Sequence, residues 1–121
     1  MNLFDASALL CFLENETGAA VVERELLAGG ACSAANWSET AQKLLAHGKD
    51  WTLARGLLLS YDLVIEPVSA DDAERAAHLW RQGSGMSLAD RIAVATAHRL
   101  GATAWTADKL WGTDPPVRQV R

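Results

Sequence analysis

Short apolar segments alternate along the chain with longer stretches in which hydrophobic residues recur every three or four positions. The short segments have the length and composition of buried strands, and the longer stretches have the spacing of helices that bury one face. Strands are predicted at residues 2–4, 31–33, 63–65 and 103–105, with a candidate fifth at 117–120. Helices are predicted at residues 5–13, 18–28, 34–46, 51–61, 69–81 and 87–100. This alternation indicates an α/β sandwich with a mainly parallel sheet.

The pattern indicates one domain that buries its own core. The chain has 121 residues, half of them hydrophobic, and neither a repeat nor a linker interrupts it. No apolar run reaches the roughly 18 to 20 residues that a membrane-spanning helix needs, and the apolar start lacks the basic leader of a signal peptide. We therefore expect a single domain over residues 1–121, located in the cytoplasm. Cys11 and Cys32 fall in apolar segments and are expected to be buried free thiols.

Four acidic residues fall at related points on this map. Asp5 follows the first strand, Glu39 lies near the start of the helix after the second strand, Asp90 is in the first turn of the last long helix, and Asp108 follows the fourth strand. Because ligand-binding groups in an open parallel sheet gather beyond the carboxyl ends of the strands, we expect the four carboxylates to converge there. Converging carboxylates repel one another unless a cation lies among them, and such hard oxygen ligands suit Mg²⁺ or Mn²⁺.

The negative net charge of the chain means that binding of a nucleic acid would require a metal ion or a local basic patch. That charge is −4, whereas a protein that binds nucleic acid through charge alone is usually basic. Divalent ions held by the four acids would allow an acidic protein to bind a phosphodiester, activate a water and stabilise the leaving oxygen.

Each acid also has a purely structural interpretation. Asp5 is a favoured helix N-cap, and Asp90 three residues after Ser87 fits a capping box. Glu39 fits a solvated helix residue, and Asp108 fits an Asx turn or the cap of a short final helix. These separate roles do not account for the common placement of all four residues.

Four segments of the chain, in order, resemble the motifs of PIN domains. They are residues 3–10 (LFDASALL), 33–39 (SAANWSE), 87–91 (SLADR) and 106–108 (TAD). The resemblance extends over essentially the whole chain, and the short stand-alone PIN domains that it resembles are the VapC toxins of bacterial toxin–antitoxin pairs. It implies a three-layer α/β/α sandwich with a mainly parallel central sheet of four to five short strands.

The resemblance also implies an activity and the residues that carry it. Proteins of this kind cleave RNA endonucleolytically with Mg²⁺ or Mn²⁺, and they are usually homodimers that a small antitoxin protein holds inactive. The implied catalytic and metal-binding residues are Asp5, Glu39, Asp90 and Asp108. Asp5 and Asp90 form the leading pair, Ser7 and Thr106 orient water or the carboxylates, and Arg91 contributes to binding of the substrate.

Other residues near the motifs have open assignments. Many PIN domains carry a further acid near the fourth motif, where this chain offers only Asp114 beside Pro115. Basic residues that could steer phosphate, or simply form a solvated face, are Arg91, Arg99, Lys109, Arg118 and Arg121. Trp37, Trp105 and Trp111 are interpreted as core or interface residues, with base stacking as the alternative. The three histidines lie beside no acidic motif and are assigned no catalysis.

Other functions with a similar sheet remain to be weighed against a nuclease. A receiver domain needs paired acids after its first strand and a lysine after its last, and residues 117–121 contain no lysine. A haloacid-dehalogenase-like phosphatase needs Asp-x-Asp, and Ser7 occupies the second position. A catalytically silent PIN-like binding module and a housekeeping PIN nuclease without an antitoxin are the remaining alternatives. Retention of all four acids argues against the silent module.

Overall fold

The computed structural model describes residues 1–121 and contains a five-stranded parallel sheet flanked by helices. The strands are β1 (Asn2–Phe4), β2 (Ala31–Ser33), β3 (Val64–Glu66), β4 (Thr103–Thr106) and β5 (Val117–Gln119). The helices are α1 (Ala6–Leu13), α2 (Ala19–Ala28), α3 (Ala34–Ala46), α4 (Trp51–Ser60), α5 (Ala70–His78) and α6 (Leu88–Leu100), with a single-turn 3-10 helix at Lys109–Trp111. The predicted order of elements and the mainly parallel sheet are confirmed.

The first strand of the chain is the central strand of the sheet. The spatial order is β3-β2-β1-β4-β5, and every neighbouring pair is parallel. Leu3 lies opposite Ala31 of β2, and Phe4 lies opposite Trp105 of β4. All five strands therefore end on the same side of the molecule, here called the carboxyl edge.

Helices cover both faces of the sheet, which confirms the three-layer arrangement. On one face Phe4 and Trp105 join a core cluster with residues of α1, α2 and α4. On the other face Leu3 packs with Ala93 and Ala97 of α6, whose small side chains allow that helix to lie close to the sheet. α5 covers the outer side of α6.

Local capping signals fixed several helix ends as predicted. Ser69 and Ser87 each form a capping box with the aspartate three residues later, at the starts of α5 and α6. Gly101 ends α6 in the left-handed conformation at φ 62°, which costs glycine little because it has no Cβ. Both cysteines are buried and free, as expected.

Two predicted boundaries were wrong by a few residues. β3 begins and ends one residue later than residues 63–65, because its register is set by pairing with β2, where Ser33 lies opposite Glu66. The helix predicted to reach residue 81 ends at His78. Arg81 donates to the His78 carbonyl at 2.9 Å, and Arg91 donates to the Ala76 carbonyl at 2.8 Å, so two guanidinium groups close the end of α5.

In none of the helices is a long enough apolar stretch present to cross a membrane.

Candidate active site

Asp5 lies at the centre of the carboxyl edge. It directly follows β1, which has β2 on one side and β4 on the other. Its backbone N–H donates to the Trp105 carbonyl at 3.2 Å, which places Asp5 beside Thr106, the last residue of β4. The first and fourth sequence motifs are therefore adjacent because β1 and β4 pair.

Three neutral donors hold the Asp5 carboxylate. Ser7 Oγ lies 2.8 and 2.9 Å from its two oxygens, Thr106 Oγ1 donates at 2.6 Å, and the Ala8 N–H donates at 2.8 Å. The bond from Ala8 is the N-cap that the sequence predicted for α1. Both hydroxyls in turn accept a backbone N–H from the turn after β4, at 2.9 and 3.0 Å. The carboxylate is thus fixed in one orientation by residues of two motifs.

The environment of Asp5 disfavours its charge. Burial is the main cause, because only 2% of the residue is exposed, and it raises the pKa of Asp5 from 3.8 to about 6. The hydrogen bonds from Thr106, Ala8 and Ser7 oppose this shift, and the negative charge of Asp90 adds to it. Asp5 forms no ion pair with any lysine or arginine. A buried carboxylate near a second acid, without a lysine or arginine partner, is electrostatically unfavourable.

Asp90 lies in the first turn of α6, near enough for its charge to raise the pKa of Asp5. Its Oδ2 accepts the Ser87 N–H at 3.0 Å, and Ser87 Oγ accepts the Asp90 N–H at 3.1 Å, which is the capping box that the sequence predicted. Only this one carboxylate oxygen takes part in a hydrogen bond within the protein. The capping role and a role at the site are therefore compatible, because the second oxygen is left for another ligand.

Glu39 lies on the same side of the molecule, on α3. The buried Cys32 thiol in the middle of β2 has its pKa raised first by burial and then by the charges of Asp5 and Glu39, so both acids lie near that thiol. The Glu39 side chain is 27% exposed, and its nearest cation is Lys43 one turn later at 4.0 Å, a weak surface pair. Glu39 is thus available at the rim of the carboxyl edge.

Asp108 is held mainly by its own turn. Its Oδ1 accepts the Leu110 N–H at 2.9 Å and caps the 3-10 helix, as in the structural interpretation of this residue. Its backbone N–H donates to Thr106 Oγ1, which in turn donates to Asp5. Asp108 is therefore connected to Asp5 through Thr106, while its carboxylate is directed to the turn.

The donor set fits a hard divalent cation of the Mg²⁺ type. No three histidine, cysteine, aspartate or glutamate side chains lie close enough together to hold one ion. Mg²⁺ is commonly held by one or two carboxylates and keeps several waters, so Asp5 and Asp90 would suit it without a third protein ligand. Burial of the Asp5 carboxylate, with the nearby negative charge of Asp90 as a smaller contribution, favours a cation there. The prediction that all four acids share a metal stays a prediction.

Comparison with known proteins supports the sequence motifs. The sequence model of the PIN domain family matches residues 3–111. The chain belongs to the PIN domain family. No curated protein sequence matches it. Among solved structures, it is similar to a chain of a toxin-antitoxin complex from Klebsiella pneumoniae, with 25% identity, a TM-score of 0.78, and coverage of 100% of this chain and 98% of that one. It also shares its fold with Mycobacterium tuberculosis VapC20, a sarcin-ricin loop cleaving toxin, with 22% identity, a TM-score of 0.70, and coverage of 89% and 90%.

The basic residues of this PIN domain have partners away from Asp5. Arg91 follows Asp90 in sequence, yet its guanidinium donates to the end of α5 and lines a groove with Asp114. The other members of the basic set are tied elsewhere: Arg99 to Asp72 and Glu66, Arg118 over the Trp105 ring, Lys109 to the Arg121 carbonyl, and Arg121 to the Thr17 carbonyl. Each of these basic side chains therefore has a partner within the chain.

The tryptophans of the PIN domain follow the predicted structural interpretation. Trp105 and Trp111 are 4% and 7% exposed and belong to the two core clusters. Trp37 is half-buried and packs edge-on against Trp51, with ring centroids 4.9 Å apart. None of these rings is left free on the surface as a stacking platform.

One residue of the second motif had no role in the sequence analysis. Asn36 is fully buried in the first turn of α3, where a polar side chain needs hydrogen-bond partners. The available signal was its position three residues before Glu39, which puts both side chains on one side of the helix.

Proposed function

We propose that this PIN domain is a divalent-metal-dependent endoribonuclease, with Asp5 and Asp90 as its leading metal-binding residues and Glu39 and Asp108 as further acids of the site. The observation that carries this proposal is the electrostatic state of Asp5. It is a buried carboxylate without a lysine or arginine partner, whose pKa is raised by burial and, to a smaller extent, by the charge of Asp90. Membership of the PIN domain family, in which the chain retains all four motif acids, supports the same conclusion.

The side chains of the protein would act mainly by positioning. Mg²⁺ or Mn²⁺, when bound, neutralises charge on a phosphodiester oxygen and favours deprotonation of water. Ser7 and Thr106 hold the Asp5 carboxylate in one orientation, so little reorganisation is needed when an ion or substrate arrives. Arg91 would bind RNA at the flank of the site only if its guanidinium leaves the Ala76 carbonyl.

Cleavage of RNA by the purified full chain tests this proposal. We expect cleavage of single-stranded or loop RNA with Mg²⁺ or Mn²⁺, none in excess EDTA, and none with folded Asp5→Ala or Asp90→Ala. Asp71→Ala is the matched control, because Asp71 is an exposed acid in the first turn of α5 and belongs to no motif. Equal cleavage by wild type, Asp5→Ala and Asp90→Ala would refute the proposed site. A folded wild type without cleavage would favour the silent binding module.

We also propose that the nuclease is the toxin of a toxin–antitoxin pair, that it acts in the cytoplasm, and that it is a homodimer bound by a small antitoxin. Similarity over 100% of this chain and 98% of a chain from a toxin-antitoxin complex supports an antitoxin partner. A short reading frame beside the gene should encode a protein that copurifies with the chain and suppresses cleavage. A chain whose expression has no effect on growth and whose neighbouring frame encodes no inhibitor would favour a housekeeping nuclease.

A further inference from the structure

Asn36 makes a direct link between the two helices that carry Glu39 and Asp90. Its Nδ2 donates to the Ala89 carbonyl at 3.4 Å, and Ala89 is the residue before Asp90 in the first turn of α6. On the other side, Asn36 Oδ1 accepts from Ser33 Oγ at 2.5 Å. The amide therefore joins the end of β2, the start of α3 and the start of α6.

Burial of the Asn36 amide lowers the stability of the fold unless its polar atoms have hydrogen-bond partners. Asn36 is 0% exposed, and a buried amide that loses a partner leaves an uncompensated polar group. Two other fully buried polar residues of these helices donate only to carbonyls of their own helix at 2.8 Å each, Thr40 of α3 to the Asn36 carbonyl and Thr96 of α6 to the Ile92 carbonyl. Among these three buried polar side chains, Asn36 alone connects one helix to the other.

The hydrogen bond from Asn36 joins the helical turns that lie next to Glu39 and Asp90. Asn36 and Glu39 are three residues apart and lie on the same side of α3. Ala89 is in the capping-box turn that fixes the backbone of Asp90. A hydrogen bond between these turns would restrain the separation of the two carboxylates without contacting either.

We propose that Asn36 is a positioning residue that sets the distance between Glu39 and Asp90 and thereby the affinity of the site for a divalent cation. This inference rests on the proposed function. Removal of groups that orient metal ligands lowers metal affinity by about 10- to 100-fold in other sites, and Asn36 is expected to lie near the lower end of that range because it acts through the backbone.

Mn²⁺ binding by the metal-free full chain, measured by isothermal titration calorimetry, tests the inference without RNA. Binding that is lost in Asp5→Ala defines the site. For Asn36→Ala we expect about tenfold weaker binding at that site. Asn36→Leu, which keeps the approximate size, lacks the Nδ2 donor and adds no charge near the acids, is the second variant if Asn36→Ala does not fold.

Thr40→Val and Thr96→Val are matched controls for loss of a buried hydrogen bond. They should lower the melting temperature as Asn36→Ala does but leave Mn²⁺ affinity within about twofold of wild type. Hydrogen exchange of the Asp90 and Arg91 amides in metal-free protein should become faster in the Asn36 variants and not in the controls. Mn²⁺ affinity and exchange in the Asn36 variants no different from the threonine controls would overturn the inference while leaving the nuclease proposal intact. A wild type without Mn²⁺ binding at Asp5 would remove the metal site itself and both proposals with it.

Discussion

Asp5 and Asp72 are both almost fully buried, at 2% and 1% exposure, and the folded protein shifts their pKa values in opposite directions. Burial raises the pKa in both cases. At Asp72 this is outweighed by hydrogen bonds from Arg99, at 2.9 and 3.0 Å, and from Ser69, so the pKa is lowered. At Asp5 burial prevails, and the pKa rises to about 6.

The difference lies in the partners of the two carboxylates. Asp72 has a guanidinium, which also reaches Glu66 at 3.1 Å and ties α5 to α6 and β3. Asp5 has only hydroxyl and amide donors, and its charged neighbour is another acid. The first arrangement is complete within the chain and stabilises the fold. The second would be completed by a cation from outside the chain, as proposed for this site.

Replacement of each aspartate by asparagine should give the largest effects, on RNA cleavage for Asp5 and on the stability of the fold for Asp72. Asp5→Asn should lower RNA cleavage about a thousandfold or more, because several kcal/mol of charge stabilisation are lost and each 1.36 kcal/mol is tenfold in rate. Asp72→Asn should leave cleavage within about threefold and instead lower the free energy of unfolding by about 2 kcal/mol, through loss of a charged hydrogen-bond pair. Gel-based cleavage rates and urea unfolding of both variants check this. Loss of cleavage in Asp72→Asn without loss of stability would contradict the assignment of a purely structural role to Asp72.

The pH dependence of stability should also differ between the two sites. Asp5 binds a proton more tightly in the folded than in the unfolded chain, so its burial costs stability increasingly as the pH rises from about 4 to above 6. The gap between 3.8 and about 6 corresponds to about 3 kcal/mol. Asp72 behaves oppositely, because its pKa is lower in the folded than in the unfolded chain. The ionised Asp72 stabilises the fold at pH values above its unfolded-state pKa, and this contribution is lost as the pH falls through its folded-state pKa.

Urea unfolding of metal-free wild type and Asp5→Asn over this pH range measures the Asp5 contribution. The variant should become the more stable of the two as the pH approaches 7. A difference between the two proteins that is constant with pH would show that Asp5 keeps its ordinary pKa.

Removal of the Arg99 guanidinium should leave Asp72, like Asp5, as a buried carboxylate without a charged partner. Arg99→Met is expected to raise the pKa of Asp72 and to lower the free energy of unfolding by about 2 kcal/mol, because a buried carboxylate loses its partner. Addition of Asp72→Asn should recover part of this loss, since an unpaired charge is then removed. Urea unfolding of the two single variants and the double variant gives the coupling. Strict additivity would argue against a direct interaction.

Loss of one hydroxyl at Asp5 should have the smallest effect. Thr106→Val removes a hydrogen bond that lowers the pKa of Asp5, so the pKa should rise further and cleavage near neutral pH should fall by about tenfold. Thr106→Ser, which keeps the hydroxyl, is the control. Rates measured across the pH range should converge at high pH if the loss comes from protonation. Equal rates for the valine and serine variants would remove Thr106 from the site.

Local rules in the sequence predicted much of this architecture. The alternation of short apolar segments with helical patterns gave the order of elements, and capping residues such as Ser69, Ser87 and Gly101 marked helix ends correctly. Asp5 could be located at the carboxyl edge because it follows a strand directly. These features depend on neighbours within a few residues, which the sequence displays.

Other features depend on contacts between distant parts of the chain. The side-chain direction of Arg91 is decided by the Ala76 carbonyl on another helix, and that of Asp108 by the 3-10 turn that follows it. The bond from Asn36 to Ala89 spans 53 residues and exists only because α3 and α6 pack together. The distances among the acids follow from such packing, so the sequence could predict their common edge but not their contacts.

The account depends most on the proposal that Asp5 and Asp90 bind one divalent cation between them. The direct measurement is the pH titration of the Asp5 carboxyl carbon by NMR, in wild type and in Asp90→Asn, with and without Mg²⁺. We expect a pKa near 6 in metal-free wild type, a lower value in Asp90→Asn, and a clear further decrease when Mg²⁺ is added to wild type. A titration of Asp5 that neither Mg²⁺ nor Asp90→Asn changes would contradict the claim.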